Sequence, residues 1–336
     1  MVRTTLHGAL AGFGRRGALA GFGLAMVAPR AAPAQPAPWP DRPVRLIVPF
    51  PPGGPVDTGA RLVAAAIAPI LGQQALVENR SGAGGVIGID AVAKAVPDGT
   101  TIAYGSTGAL AVNPSLLPNL PYDTLRDLRP VAVLTSTNSV LVVRPDGPRD
   151  LAALVAQAKA QPGRLSFAST GPGGTPHLAA ELLKLRTGID IAHVAYRGAA
   201  PVITAMLAGE ITMAFLDVPV LAPHIREGKF RGLLVTGHER AAVLPEVPTA
   251  EQAGAAGVIV EGWNAMLVPA ATPADRVARL SDAVRGVLAP GSETRARFEA
   301  MGQRVVNLGP EAAAAFIRAE IAKWAEVVRA ANIRPD

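Results

Sequence analysis

Two loops rich in glycine and proline carry the residue types that favour ligand binding. Loop 1 is Phe50-Pro51-Pro52-Gly53-Gly54-Pro55-Val56-Asp57, and loop 2 runs from Thr170 to Pro176; each follows a predicted strand and opens a predicted helix. Glycine lets a ligand approach the backbone, and free amides at a helix N-terminus attract anions without a charged side chain. The two loops therefore predict an anion site gripped from two sides, although most loops of this composition only turn the chain.

The residues that open the second helix add polar groups to this site. Thr175 is predicted to be its N-cap and Pro176 its first helical residue. His177 falls in the first turn, where it either reaches a ligand or caps the helix, and the sequence leaves both roles open. The five histidines show neither H-x-H nor H-E-x-x-H spacing, so no metal site is predicted.

Motifs for cofactors and catalysis are weak. Gly82-Ala83-Gly84-Gly85-Val86-Ile87-Gly88 is a loose dinucleotide fingerprint, but the following strand ends in Tyr104-Gly105-Ser106 instead of the acid that would bind a ribose. No phosphate-binding P-loop motif and no G-x-S-x-G motif occurs. We therefore predict no cofactor and assign no catalytic residue. An exported α/β hydrolase or isomerase using the same cleft remains the alternative, decided by whether an acid/base pair lines that cleft.

Composition excludes several classes of protein. The chain has 336 residues, of which 49% are hydrophobic and 17% charged, so it is long and apolar enough to bury substantial cores. It has no cysteine, which excludes disulfide scaffolds and cysteine nucleophiles. Four arginines and no acid lie in residues 1–34; without them the formal net charge falls from +6 to +2, and nucleic-acid binding is not expected.

Residues 1–34 are predicted to be a signal peptide. Arg15-Arg16 precedes an apolar run from Gly17 to Val27, and Ala32-Pro33-Ala34 offers small residues for cleavage before Gln35. The run is too short to span a bilayer. The sequence therefore predicts export to a bacterial periplasm, by the Sec route or by the twin-arginine route.

The mature chain alternates β-branched runs with Ala/Leu-rich stretches, which predicts an α/β fold with mainly parallel sheets. Among the predicted strands, Val131–Leu134 and Val140–Val143 are separate, and the chain from Pro273 onward is largely helical.

Several segments, taken in order, resemble one protein family. They are Pro49–Pro55, Val77–Gly85, Pro97–Gly99, Asn113–Leu116, Leu120–Asp123, His177–Leu182, Tyr196–Gly198 and Leu244–Thr249. Over nearly the whole mature chain, the sequence resembles the Bug family, the periplasmic solute receptors of tripartite tricarboxylate transporters.

The resemblance implies a fold, a function and partners. The fold is a two-lobe periplasmic-binding-protein (Venus-flytrap, type II-like) fold, each lobe a mainly parallel sheet flanked by helices. Lobe 1 covers residues 39–140 and 246–336, and lobe 2 covers residues 141–245. The ligand is a small carboxylate (a di- or tricarboxylate, an amino acid or an aromatic acid) held in the interlobe cleft. The receptor, expected to be a monomer, delivers it to a permease of one large and one small subunit or acts as a sensor. A membrane-attached interaction protein would need a lipidated cysteine or a spanning helix, and neither is predicted.

The resemblance also assigns ligand-binding residues. Loop 1 contributes its apolar and glycine positions together with Asp57, which is expected to pair with Arg61 one turn later. Loop 2 contributes its hydroxyl and glycine positions together with His177, and the ends of other strands complete the site. Arg197 is either a bidentate partner of the ligand carboxylate or part of a salt bridge. The full set is Phe50, Pro52, Gly53, Gly54, Asp57, Ser106, Thr107, Thr170, Gly171, Gly174, Thr175, His177, Tyr196, Arg197 and Asp217.

Two positions depart from the family pattern. Val56 stands where the family usually has Thr or Ser, which removes a hydroxyl donor. Leu216 stands where an Asp commonly follows the Phe, and Asp217 comes one residue later. Both changes predict a ligand that is more apolar or differently substituted than that of a typical member.

Overall fold

The computed structural model describes residues 39–171, 173–196 and 198–334. The predicted signal peptide lies outside the described residues. The strands are β1 (Val44–Val48), β2 (Ala75–Asn79), β3 (Thr101–Ser106), β4 (Leu128–Val143), β5 (Ser166–Ser169), β6 (Ala192–Ala195), β7 (Met213–Asp217), β8 (Arg231–Val235), β9 (Glu261–Pro269) and β10 (Arg304–Leu308).

Helices separate most of these strands. They are α1 (Pro55–Leu71), α2 (Val86–Ala93), α3 (Asn113–Leu116), α4 (Leu151–Ala160), α5 (Thr175–Thr187), α6 (Ala199–Ala208), α7 (Val218–Arg226), α8 (Ala274–Val287), α9 (Glu293–Ala300) and α10 (Pro310–Ala330). A 3₁₀ turn over Ala83–Gly85 precedes α2, and a π-helical turn over Gly108–Val112 precedes α3. Within the described residues, no helix is both long enough and apolar enough to cross a membrane.

Local sequence explains the first strand and helix. Four of the five residues of β1 are buried, as expected for a central strand covered on both faces. On α1 the residues Val63, Ile67 and Leu71 recur at helical spacing and are buried. The helix starts at Pro55, whose missing amide is not needed there, and ends at Gly72 in the left-handed conformation.

The strands form one continuous path with more antiparallel pairing than predicted. The order is β2-β1-β3-β9-β4-β7-β5-β6, with β8 and β10 also paired to β4. Among the described strand pairs, β1–β2, β1–β3, β5–β6 and β5–β7 are parallel, and the five others are antiparallel. The α/β class is confirmed, but the prediction of mainly parallel sheets is wrong. Each antiparallel pair involves β4 or β9, and these are the strands that the sequence analysis divided in two or missed.

β4 is a single strand of 16 residues, and the prediction of two short strands here is wrong. Its first part pairs with β9 as far as Asn138, and its second part pairs with β7 from Ser139 onward. The polar residues between the two predicted strands lack an apolar signal, yet their backbones are hydrogen-bonded to neighbouring strands. β4 therefore belongs to two groups of strands. Its first part pairs within the group of β1, β2, β3, β9 and β10, and its second part pairs within the group of β5, β6, β7 and β8.

β9 lies between β3 and β4, and the sequence analysis missed it. A buried carboxylate holds it against the C-terminal helix: Glu320 of α10 accepts hydrogen bonds from the indole nitrogens of Trp263 (2.9 Å) and Trp324 (3.0 Å). Lys323 donates to the other oxygen of Glu320 at 2.6 Å. This carboxylate is fully paired, so it is a structural residue.

Separate apolar clusters cover the strands. Val44, Leu46, Ile67 and Phe298 belong to one that packs α1, α8 and α9 on the β1–β3 region. A second cluster packs α6 and α7 on β7 and the end of β4, and a third spans both groups of strands and includes Trp263.

Candidate functional site

Loop 1 is held in shape by the carboxylate of Asp57. Its Oδ2 accepts a hydrogen bond from the Gly53 amide at 2.9 Å, and its Oδ1 accepts one from Asn79 Nδ2 at 2.8 Å. Arg61 Nε donates to Oδ2 at 2.9 Å, which confirms the predicted ion pair one turn along α1. Asn79 also donates to the carbonyl of Phe50 at 3.1 Å. Asp57 is therefore a buried anchor of the loop.

The protonation state of Asp57 follows from these contacts. Burial alone raises the pKa of this carboxyl, but hydrogen bonds from Arg61, the Gly53 amide and Asn79 outweigh it and lower the pKa to about 2. The carboxylate is consequently ionised at every pH at which the protein is expected to work.

Loop 2 is held by the imidazole of His177 in the same way. The amide of Gly173 donates to His177 Nδ1 at 3.1 Å. The imidazole stacks on His193, with ring centroids 4.1 Å apart, and His193 stacks in turn on Phe167 at 4.7 Å. Burial lowers the pKa of His177 to about 4, helped by the charges of His193 and Lys184. The imidazole is therefore neutral at pH 7 and can accept the Gly173 hydrogen bond.

The two loops have matching backbone geometry. Gly53 and Gly173 both have positive φ, 84° and 71°, which favours glycine. The next residues, Gly54 and Gly174, are extended N-caps with φ/ψ of −79°/170° and −70°/156°. In each loop the amide of the first glycine is bound by the side chain four residues later. The prediction that Thr175 is the N-cap is wrong by one position, because the extended conformation that a cap needs falls on Gly174.

The turn after β3 lies next to loop 2 and close to the residues that surround loop 1. A Cβ placed on Gly85 would lie 2.9 Å from the Cβ of Ala109 and 3.5 Å from the ring of Phe50 in loop 1. A Cβ on Gly108 would lie 3.8 Å from the carbonyl oxygen of Gly173 in loop 2. The structure thus brings loop 2 directly against the residues that follow Ser106, and it brings loop 1 to the same turn through Gly85.

Two predicted site threonines border the start of β9. Thr107 is buried, and its hydroxyl accepts from the Trp263 amide at 2.7 Å, so this hydroxyl is committed to the sheet. Thr175 Oγ1 lies 3.5 Å from the position of a Cβ on Gly262. Thr107 therefore positions β3 against β9, whereas Thr175 and Ser106 are only half-buried.

The remaining predicted residues occupy different surroundings. Pro52 and Gly53 are exposed, and Phe50, Gly54, Thr170, Gly171 and Gly174 are half-buried. Tyr196 follows β6 with its amide bound to Ser169 O at 3.0 Å, so it lies beside loop 2. Arg197 lies outside the described residues.

Asp217 ends β7 beside β4, where Ser139 Oγ donates to its Oδ1 at 3.3 Å. Burial raises the pKa of Asp217 to about 6, against a smaller lowering by Ser139. This hydrogen bond joins Asp217 to β4 at Ser139, the residue at which β4 begins to pair with β7.

A serine and a histidine lie within hydrogen-bond distance behind loop 2. Ser169 Oγ is 2.7 Å from His193 Nε2, but Ser169 is fully buried. Its hydroxyl also accepts from the Gly171 amide at 3.2 Å. The pair supports the loop, and burial keeps the hydroxyl away from a substrate.

The sequence analysis missed the side chains that support the loops. Asn79 and the pair of Ser169 and His193 received no role, and neither did Asn113, which donates to the carbonyl of Gly84 at 3.2 Å. Asn79 lies inside one of the segments that carry the family resemblance, which was the available signal. His193 lies 16 residues from His177 in the sequence, and only the pairing of β5 with β6 places it under loop 2.

Acid is expected to destabilise loop 2 through His177. Because its pKa is lowered, the neutral imidazole contributes its full stability above the ordinary pKa of 6.5, and this contribution is lost as the pH falls towards 4. The expected loss is on the order of 2–3 kcal/mol. Denaturant unfolding of the wild type and of His177→Asn between pH 7.5 and 4 measures it.

Asparagine is the matched variant because its Oδ1 can accept the Gly173 hydrogen bond but does not titrate. We expect the free energy of unfolding of His177→Asn to fall less steeply with acid than that of the wild type. Equal slopes for the two proteins would contradict the assigned role of His177.

The fold and the two loops define a class of protein. Two groups of strands joined by the continuous strand β4, with glycine-rich strand-to-helix loops brought to one turn, are the features of a two-lobe solute-binding protein of the periplasmic type. Within the described residues, no cluster of potential ligands could hold a metal ion.

Comparisons with known proteins agree with this class. The family model described as "Tripartite tricarboxylate transporter family receptor" matches residues 59–333. Protein BugT of Bordetella pertussis is 39% identical over 301 residues, which cover 89% of this chain and 92% of BugT. Two solved structures from Rhodopseudomonas palustris also match. MatC with bound malate is 34% identical with a TM-score of 0.77, over 86% of this chain and all of MatC. Rpa4515 with adipate is 33% identical with a TM-score of 0.80, over 89% of this chain and all of Rpa4515.

The chain belongs to the family of tripartite tricarboxylate transporter receptors, which includes the Bug proteins. Members of this family are periplasmic receptors that bind small carboxylates and work with transporter permeases. The predicted family, the α/β fold class of periplasmic binding proteins and the receptor function are confirmed, apart from the predicted share of parallel strands, and the hydrolase or isomerase alternative is not supported.

Proposed function

We propose that this receptor binds a small carboxylate between loop 1 and loop 2. The observation that carries the proposal is the matched geometry of the loops: each ends in an extended glycine N-cap, followed by a helix whose first amides have no partner within the helix. Two such N-termini attract negative charge without a cationic side chain. A carboxylate group of the ligand approaches the half-buried backbone of each loop.

The other proposed contacts surround the loops. Ser106 and Thr170 are half-buried residues, and their hydroxyls are proposed as donors to the ligand. Arg197 is proposed as a bidentate partner of the ligand carboxylate, which requires its guanidinium to face loop 2. Asp57, Thr107 and His177 are proposed to support ligand binding indirectly, because their hydrogen bonds fix loop 1, the start of β9 and loop 2.

The identity of the carboxylate is proposed only as a class: a di- or tricarboxylate, an amino acid or an aromatic acid. The solved relatives that carry malate and adipate support this class. Val56 offers no hydroxyl in the first turn of α1, so the ligand of this chain is expected to be less hydroxylated or more apolar on that side.

We propose that the chain forms two lobes, for which the sequence suggested residues 39–140 with 246–336, and residues 141–245. The change of partners in β4 between Asn138 and Ser139 supports the first crossing. After Pro245, however, the amide of Ala250 binds the carbonyl of Val235 and the amide of Val260 binds that of Thr236. These bonds to β8 and its following residue favour a second crossing near residues 260–261.

We propose further that residues 1–34 are a signal peptide, for which the basic segment and apolar run of the sequence are the support. The mature receptor is a monomer in this proposal. It delivers its ligand to a permease of one large and one small subunit, or acts as a sensor where no such permease is present.

Native mass spectrometry of the purified protein tests the ligand class by detecting a co-purified acid. Thermal unfolding with a carboxylate library and the matched amides then measures selectivity. A carboxylate at about 100 times its dissociation constant stabilises the protein by about 2.7 kcal/mol, and its amide gives no shift. NMR of the bound acid is expected to show no turnover. Stabilisation by neutral sugars and by no carboxylate would overturn the proposal.

A further inference from the structure

Asn264 of β9 is a polar side chain in the middle of the sheet. β9 has β3 on one side and β4 on the other. Its neighbours Trp263 and Ala265 point to the opposite face and are buried. On the face of Asn264, Met266 is fully buried, whereas Asn264 itself is only half-buried. The cover of this face therefore ends between Met266 and Asn264, and the amide of Asn264 borders open space.

The position of Asn264 is beside the proposed carboxylate site. It pairs with Ser106 of β3 and with Thr135 of β4. Directly opposed residues of antiparallel strands carry their side chains on one face, so these three form a polar row across the sheet. Two residues earlier on β9, a Cβ on Gly262 would lie 3.5 Å from Oγ1 of Thr175, the first residue of α5. The row therefore lies close to the start of α5 and to loop 2.

Thr135 orients the amide of Asn264. The buried Oγ1 of Thr135 accepts a hydrogen bond from Asn264 Nδ2 at 3.4 Å. Within the described part of the chain, the side chain of Asn264 makes no other hydrogen bond. Its Oδ1 acceptor and the second N–H of Nδ2 thus remain for a ligand.

A hydroxyl group is the ligand substituent that fits this row. The carboxylates of the ligand are drawn to the helix N-termini, where unpaired amides favour negative charge. The row itself has no charged side chain, so it suits a neutral substituent. A hydroxyl can donate to Asn264 Oδ1 and accept from the hydroxyl of Ser106. An ammonium group only donates, and a bare C–H leaves both partners without a bond, which costs affinity.

We propose that Asn264 contacts the ligand of the carboxylate site and selects acids that carry a hydroxyl group. The inference rests on the proposed function, since loop 1 and loop 2 hold the carboxylates. The ligand hydroxyl donates to Asn264 Oδ1, and its oxygen accepts from Ser106. This hydroxyl faces β9, whereas Val56 removes a hydroxyl donor on the side of α1. Thr135 acts through Asn264 and is a positioning residue.

Isothermal titration calorimetry with matched acids tests the proposal. Malate and succinate, citrate and tricarballylate, and mandelate and phenylacetate are pairs that differ only in one hydroxyl group. Aspartate carries an ammonium group in place of the hydroxyl of malate. In every pair that binds, we expect the wild type to bind the hydroxylated acid at least tenfold more tightly. Malate is also expected to bind at least tenfold more tightly than aspartate.

Asn264→Leu removes both polar atoms of the amide at similar volume. We expect the ratio of the two dissociation constants within a pair to fall below twofold in this variant. Thr135→Val keeps Asn264 but removes the acceptor that orients it, and is expected to lower the ratio at least threefold. Asn119→Leu, at an exposed position between α3 and β4, is the matched control and is expected to keep the ratio of the wild type within twofold.

The outcomes separate this inference from the proposed function. Equal affinities within every pair in the wild type, or a ratio in Asn264→Leu equal to that of the wild type, would overturn the role of Asn264 and leave the carboxylate receptor in place. Tighter binding of aspartate than of malate would do the same. Absence of binding by the whole carboxylate library would overturn both proposals.

Discussion

Replacement of Gly174 by valine is expected to abolish carboxylate binding while the fold is kept. The backbone of Gly174 is extended, and a Cβ there would lie 3.5 Å from the carbonyl oxygen of Gly171, an ordinary contact. The added side chain would stand over the amides of loop 2. We expect the dissociation constant to rise more than 100-fold and the ligand-induced thermal shift to disappear.

Gly54→Val in loop 1 is the partner experiment and has the same expected result. A Cβ on Gly54 would meet only the carbonyl oxygen of Pro51, at 3.8 Å. Gly286→Val on α8, where an added Cβ meets nothing within 4 Å, controls for the substitution itself and is expected to leave binding unchanged. Unchanged carboxylate affinity in Gly174→Val would show that the ligand does not approach loop 2.

Replacement of Asp57 by alanine is expected to reduce both stability and binding. The variant leaves the amide of Gly53 and the side chain of Asn79 without their acceptor. Loss of hydrogen bonds to a buried carboxylate predicts a decrease of about 2–4 kcal/mol in the free energy of unfolding. Carboxylate affinity is expected to fall at least tenfold, because loop 1 loses the contact that fixes Gly53. Chemical denaturation and calorimetry of the same samples measure both effects.

Arg61→Ala separates the ion pair from the loop anchor. Arg61 is about half exposed, so its removal is expected to lower the free energy of unfolding much less than the removal of Asp57 does. The stability that Asp57 supplies is present above its ordinary pKa of 3.8 and is lost as the pH falls towards 2. The difference between wild type and Asp57→Ala should therefore shrink below about pH 4. Equal damage from Arg61→Ala and Asp57→Ala would mean that the ion pair, and not the amide anchor, holds loop 1.

The two loops have equivalent geometry but different responses to acid. Asp57 holds loop 1 with a carboxylate that stays charged to about pH 2, whereas His177 holds loop 2 with an imidazole that must stay neutral and has a pKa near 4. As the pH falls, loop 2 is therefore expected to lose its anchor before loop 1 does.

The sequence by itself determined the features that depend on neighbouring residues. Pro55 and Pro176 at the starts of helices, the glycines before them and the alternation of strands with helices are local signals, and they gave the α/β class and the two loops. The ion pair of Asp57 with Arg61 was also predictable, because residues four apart share one face of a helix. The ordered segments from loop 1 to Thr249 indicated the family.

Only the tertiary structure decided which distant residues meet. β4 continues through a polar stretch because its backbone is paired on both sides, and β9 pairs with β3 and β4 across more than 100 residues of chain. Asn79 reaches Asp57, His193 stacks on His177, and Asn264 donates to Thr135 for the same reason. Local periodicity carries no information on such contacts, since they are fixed by strand order and by the packing of the folded chain.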